Sequence, residues 1–393
     1  MEYNPYAADT QHNPFPIYRW LRDEAPVYHN EKVGFWALSR YDDVLAASLD
    51  TDTFLSGHGI TIEGLDEPGT ILINTDPPEH TWHRRIVSRV FTAKAVASQE
   101  ESVRAICRSL LAEVREGVPF DVIEQFSLGL PVAVICEMLG IPPEARDGIH
   151  DRSSRMLTMS AVDGPPVLSE DVGVAAIELA VQILDVVNER VASPGDDIIT
   201  LLLQSEVVDD DGNTWKLTPD QVAARVVELV VAGHETTAKL IGNMVVALAW
   251  YPDHRAELAA DPSLVANAVE EGLRWDGPSH YQGRWVERDV GLHGGTIPAG
   301  SRVVLLTGAA CHDDRVFEQP ELFDIHRDSQ RNLAFGWGIH LCLGRALAWL
   351  ETRVAIEELL AAAPEYELVD SGVERARSGQ VRGHNHLPIS TSA

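Results

Sequence analysis

A lone cysteine, Cys342, stands in the stretch FGWGIHLCLGR (335–345), directly ahead of a run in which Leu343, Leu347, Leu350 and Val354 recur at helical spacing. A helix opening there puts the sulfur at the positive end of the helix dipole, beside N–H groups without intrahelical partners. Both features favour thiolate. Gly336, Gly338 and Gly344 let the backbone approach a bulky group closely. Three roles suit such a residue: a structural thiol, a nucleophile, or a thiolate ligand to haem iron. A nucleophile needs a general base, and no partner motif supplies one. Ligation of haem iron accounts for the thiolate and the glycines together.

Three other groups have types and spacings that could do chemistry. Glu235 and Thr236 adjoin in VVAGHETT, inside a long apolar helical run. A threonine hydroxyl can compete for a carbonyl within a helix and open it, and a carboxylate beside a hydroxyl can relay protons. The plainer alternative is a solvated glutamate and a core threonine. In DPPEHTWHRR, His80 and Arg84 are four apart and share a helix face; a guanidinium there could hold a carboxylate through two parallel hydrogen bonds. Glu271 and Arg274, in EEGLR, are three apart and can pair, as many surface pairs do.

These residues need a large scaffold, and the chain has one to offer. Its 393 residues are 45% apolar and 23% charged, enough for a substantial core. The formal net charge of −29 argues against nucleic acid and anionic membranes as partners. Four cysteines with no C-x-x-C pair exclude a zinc ribbon, a thioredoxin motif and c-type haem attachment. Cys107 and Cys136 read as small buried apolar residues, and reduced thiols suggest the cytosol. The N-terminus has the pattern of neither a signal peptide nor an anchor, and the longest apolar run, LIGNMVVALAWY, is too short to span a bilayer.

The pattern along the chain is mostly helical, with short strands at both ends. FPIYRWLRDE and YDDVLAASL read as helices and GFWALSR as a strand. Residues 54–75 lack periodicity and read as a long surface loop. Asp76 could cap the helix that follows. Helices are expected from about 94 to 205, broken at REGVPFD, GIPPEA and ASPGDD, then a hairpin-like loop at DDDGNTW. A capping box, with Thr218 as cap, Pro219 next and Gln221 reaching back, opens a helix that runs to about Trp250. No repeat or linker divides the chain.

FGWGIHLCLGR resembles the haem-binding loop of cytochrome P450, F-G-x-G-x-H-x-C-x-G, with the other three groups in family order. The chain is similar throughout to a bacterial-type soluble cytochrome P450. The resemblance implies a mainly α fold with small β-sheets, a single large α-rich haem domain over residues 1–393 with no fused reductase. It implies haem b with Cys342 as axial ligand to the iron, and His80, Arg84, Arg284, His340, Phe335, Gly336 and Asn332 as haem contacts. Asn332 departs from the pattern, because many relatives carry a histidine there; one propionate is expected to be held more weakly, or by water. Glu271 and Arg274 are expected to be buried and locked by Arg327, holding the loop that presents the cysteine. Opening of the helix at Thr236 would leave a groove for oxygen, and Glu235 and Thr236 would deliver protons there.

The implied activity is that of a monooxygenase inserting one atom of O2, its co-substrate, into a small, largely apolar molecule. Electrons would come from a separate ferredoxin docked on a local basic patch of Arg85, Arg89, Arg345 and Arg353. A cytoplasmic monomer is expected. The pocket would be lined by Ile60, Ile62, Val231, Ala232, His280, Tyr281, Gln282, Gln380 and Val381. Glu228 shares the oxygen-facing stripe of the long helix and needs a partner. Either an arginine of a neighbouring helix or water satisfies it, or it orients a basic or hydroxylated part of the substrate. Two rival functions stay open: a non-catalytic haem-thiolate binder such as a gas sensor, and a peroxide-driven peroxygenase.

Overall fold

The computed structural model describes residues 1–64, 71–146, 148–157, 170–209 and 211–391. The expected elements form. Phe15–Glu24 and Tyr41–Leu49 are helices, Phe35–Leu38 is a strand, and Glu206–Val208 pairs with Thr214–Lys216 as a hairpin. The first part of the 54–75 segment is a two-residue strand, Phe54–Leu55, and Leu72–Asn74 is a turn of 3₁₀ helix; residues 65–70 lie outside the described residues.

The long helix, Pro219–Trp250, is the axis of the molecule. Its capping box is complete: Gln221 N–H donates to the Thr218 hydroxyl and the Gln221 side chain accepts from Thr218 N–H. From Thr237 to Leu248 every residue is buried, so this half is enclosed on all sides rather than amphipathic. Helices Gly129–Leu139, Glu170–Ala192, Val265–Asp276 and Arg345–Ala362 pack around it. Among the described residues no helix is long and apolar enough to cross a membrane.

A five-stranded sheet stands beside the helices, in the order Val27–Asn30, Phe35–Leu38, Arg302–Leu305, Gln282–Val286, Phe54–Leu55. The Phe35–Leu38 pairing with Arg302–Leu305 is parallel and the rest are antiparallel. The sheet brings the start of the 54–75 segment beside residues 282–286. Asp76 fastens it further. Its carboxylate accepts Ser56 N–H at 2.8 Å and Gly57 N–H at 2.7 Å, so it clips the loop instead of capping the next helix, Glu79–Val87, which starts after Pro78.

Arg345–Ala362, the helix behind the cysteine, packs on Glu100–Leu111. Glu351 is caught in its buried face, and burial alone pushes its carboxyl up to about 8. The folded chain therefore holds this proton more tightly than the unfolded chain does. That stabilisation is complete below the ordinary value of 4.5 and is lost as pH rises through about 8. Glu351→Gln should match the parent near pH 4 and gain on it up to about pH 8, by ~1.4 kcal/mol for each unit of the shift. Urea unfolding across pH measures this; a gain that is flat or falls with pH contradicts it.

Candidate active site

The helix after Cys342 begins at Arg345 with Gly344 as its cap, so the sulfur precedes the first turn by a few residues. Cys342 N–H donates to Phe335 O at 2.9 Å and Gly336 N–H to Leu333 O at 2.9 Å, closing the loop on itself. Gly336 and Gly338 have φ of 70° and 74°, where a side chain is strained. A Cβ on Gly338 would also lie 2.7 Å from Ser48 O. All four cysteines are free; Cys107, Cys136 and Cys311 are buried and Cys342 is exposed. The surrounding chain still strips enough water from the Cys342 thiol to push its pKa up. The N–H groups of Gly344 and Arg345 and the charge of Arg84 pull the other way.

Beside the cysteine lies a cluster of cationic and imidazole groups with no acid in ion-pair distance among the described residues. The His80 and His340 rings meet at a tilt, 4.4 Å between centroids with 53° between their planes, and each has a buried Nε2 without a partner among the described residues. Arg84 donates to Leu341 O. Arg284 is buried, and among the described residues its guanidinium donates only to its neighbour's carbonyl, Gly283 O, at 2.7 Å. Burial lowers the Arg284 guanidinium to about 10, and burial with the charges of Arg284, His80 and Arg84 drives His340 down to about 2. His80 falls to about 4, again mainly by burial, with Arg84 adding to it. Both imidazoles are thus neutral donors at pH 7, beside two fixed positive charges. Burying such a set is costly unless anions meet it.

Glu271 and Arg274 are fully buried and paired at 2.7 Å through both carboxylate oxygens. Arg274 spends its remaining N–H bonds on the carbonyls of Cys311, Pro320 and Leu322. Glu271 also accepts from Arg327 Nε at 3.2 Å, Asp324 N–H at 2.9 Å and Ser329 Oγ at 2.5 Å. Three points of the 324–329 segment are therefore fastened to one carboxylate, just ahead of the cysteine loop.

On the long helix, Thr236 Oγ1 donates to Ala232 O at 2.8 Å. The helix nevertheless runs unbroken from Pro219 to Trp250, so the expected opening at Thr236 is absent. Ala232 is exposed and Val231 half-buried at this level. Glu235 pairs with Lys239 at 2.9 Å.

The cytochrome P450 family profile matches residues 171–362. A vitamin D(3) 25-hydroxylase from Pseudonocardia autotrophica is 39% identical over 96% of this chain and 93% of its own. A 6-deoxyerythronolide B hydroxylase from Saccharopolyspora erythraea is 36% identical over 95% of each. The chain belongs to the cytochrome P450 family. A solved Bacillus megaterium P450, CYP109E1 in complex with corticosterone, superposes with a TM-score of 0.86 at 32% identity, over 98% of this chain and all of that one. The fold is accordingly the P450 fold, and the chain is an enzyme of the monooxygenase class.

Membership implies a haem-thiolate iron cofactor, and the residues present suit one. An exposed thiol sits among N–H donors, and two arginines with two neutral imidazole donors match the two carboxylates that a haem carries.

Several expected P450 contacts are spent elsewhere. Asn332 donates to Glu270 at 2.9 Å and to Ser329 O at 2.8 Å, so its amide serves the loop and is not offered to a propionate. Glu228 accepts from Arg225 at 2.7 Å and from Leu72 and Ile73 N–H at 3.1 Å each. The arginine is on its own helix rather than a neighbouring one, and the carboxylate anchors the end of the 54–75 segment instead of facing substrate. Ile62 and Tyr281 are buried in the core formed with Tyr3, Tyr18 and Val304. His280 Nδ1 bonds Tyr18 OH at 3.0 Å, with Asp276 at 3.6 Å on the other nitrogen. His280, Gln380 and Val381 line a small cleft with Tyr18, Arg375 and Arg382. Gln380 and Gln282 donate to Tyr281 O and Ser279 Oγ, and Ile60 lends its carbonyl to Gly283 N–H. Arg353 is neutralised by Glu100 at 2.8 Å and Glu357 at 2.7 Å. Sequence reasoning missed Lys239, although a lysine four residues after Glu235 in an apolar run was visible.

Proposed function

We propose that this P450 inserts one oxygen atom of O2 into a C–H bond of a small, largely apolar molecule, as a single-domain, monomeric, cytoplasmic enzyme carrying haem b. The observation that carries the reading is the exposed Cys342 thiol beside the uncompensated cluster of Arg84, Arg284, His80 and His340. Cys342 would ligate the iron, those four residues would hold the propionates, and Phe335 and Gly336 would border the ring. When bound, the haem supplies oxygen activation, which a thiolate ligand favours. The names of the vitamin D(3) hydroxylase and the corticosterone-bound relative support an apolar substrate.

The chain's own part is to shield and to move protons. Because Thr236 Oγ1 gives its proton to Ala232 O, its oxygen is free to accept a hydrogen bond in the site. Glu235 keeps one oxygen, Oε2, without a partner among the described residues and can carry a proton on it. Thr236→Ala tests the reading against a peroxide-driven or sensing role. The variant should consume NADH near the parental rate while product falls about tenfold or more and hydrogen peroxide rises in its place. Unchanged product yield contradicts it.

Electrons are proposed to arrive from a ferredoxin at Arg85, Arg89 and Arg345. Arg85, in the last turn of Glu79–Val87, and Arg89, in the turn that follows it, are exposed with no ion pair among the described residues, whereas Arg345 is loosely paired with Glu270 at 3.7 Å. Arg89→Glu should raise the ferredoxin KM several-fold at low salt and little at high salt. An effect independent of salt removes the patch from the account.

A further inference from the structure

Lys239 is an ammonium 3% exposed in the most enclosed part of the long helix. Such a charge is retained only with a partner. Its Nζ lies 2.9 Å from Glu235 Oε1 and 3.4 Å from the carbonyl of His384. Glu235 is its one ion-pair partner among the described residues. The stem is held as firmly as the head: a Cβ on Gly383 would come within 2.6 Å of Lys239 Cβ and Cγ, so only glycine leaves room for it. One turn on, Asn243 donates to Arg382 O at 3.3 Å and to Asp276 O at 2.8 Å, fixing the same 382–384 segment. Three imidazoles lie within electrostatic reach: His384 and His234, which feel the Lys239 charge, and His150, which feels that of Glu235; burial lowers all three.

Lys239 thus commits one carboxylate oxygen of Glu235 and leaves the other, the buried Oε2, with no partner among the described residues. We propose that Lys239 is the positioning residue of proton delivery: it pins Glu235 so that Oε2 alone exchanges protons between solvent water and the oxygen-binding site. Glu235 gives one proton and takes one from water, so it is unchanged over the cycle. The inference rests on the reading of Glu235 as the proton carrier and deepens it.

The test uses Lys239→Met, Glu235→Gln and the double variant of the haem-loaded enzyme. The first readout is urea unfolding. A double-mutant cycle should show coupling of roughly tenfold or more in the unfolding equilibrium constant. The second is the split of consumed NADH between product and peroxide, with the solvent deuterium isotope effect on kcat. Lys239→Met should cut product per NADH about threefold or more and change the isotope effect, with substrate KM unmoved. Lys239→Gln, which can still donate one hydrogen bond, should recover part of it. Coupling in unfolding with an unchanged split and isotope effect makes the pair structural and overturns the proposal. No coupling overturns it too. If Glu235→Gln leaves the split unchanged, the proton-carrier reading falls and takes the proposal with it. If Glu235→Gln changes the split but Lys239→Met does not, the proposal falls alone.

Discussion

Glu271→Ala should unfold at markedly lower denaturant than the parent, a loss of ~3–5 kcal/mol, and should no longer retain haem on gel filtration. The size follows from what is left behind. Arg274 would keep its charge at about 1% exposure with only three carbonyls to meet it. Arg327, Ser329 and the Asp324 amide would lose their common acceptor in the same step. The segment they belong to runs directly into Leu333 and Phe335, whose carbonyls receive Gly336 and Cys342 N–H. Loosening it loosens the cysteine loop. Arg274→Lys should fail to preserve stability, since an ammonium cannot reproduce a planar fork that reaches five acceptors. A loss below about 1 kcal/mol, as for a surface pair, would show that the network does not hold the loop.

Cys342→Ser should abolish product formation while leaving the fold intact. The thiol is exposed and fills no core space, so the substitution creates no cavity and, with both proteins compared haem-free, the unfolding midpoint should move by less than about 0.5 kcal/mol in equivalent stability. The serine hydroxyl cannot stand in for a thiolate, because its proton is far harder to remove. Turnover supported by the ferredoxin system should fall to background. Retained turnover with a folded protein would remove Cys342 from the chemistry. Loss of turnover with loss of fold would instead make it a structural residue.

What could be read from sequence was what local chemistry decides. The capping box at Thr218, the glycine loop, the Glu271–Arg274 spacing and the His80–Arg84 face all depend on residues a few positions apart, and all four have the expected local geometry. Asp76 has the type and position of a helix cap, but its carboxylate takes N–H donors 19 and 20 residues upstream. Pocket residues fared worst, since which way a side chain faces is set by whole-fold packing. Tyr281 and Ile62 looked available beside a loop but are core. Glu228 needs a partner by its place on an apolar stripe, but the amides of Leu72 and Ile73 that share it come from 156 and 155 residues away. Asn332 looked like a weakened haem contact because its true partner, Glu270, lies 62 positions back.

The central claim is that Cys342 binds haem iron as a thiolate. The most direct measurement is the absorption spectrum of the haem-loaded protein, reduced and exposed to carbon monoxide. The account predicts the strongly red-shifted carbonyl band that a thiolate ligand produces, present in the parent and absent in the folded Cys342→Ser variant. A band at the unshifted position in the parent, or a red-shifted band that survives in the variant, would contradict it.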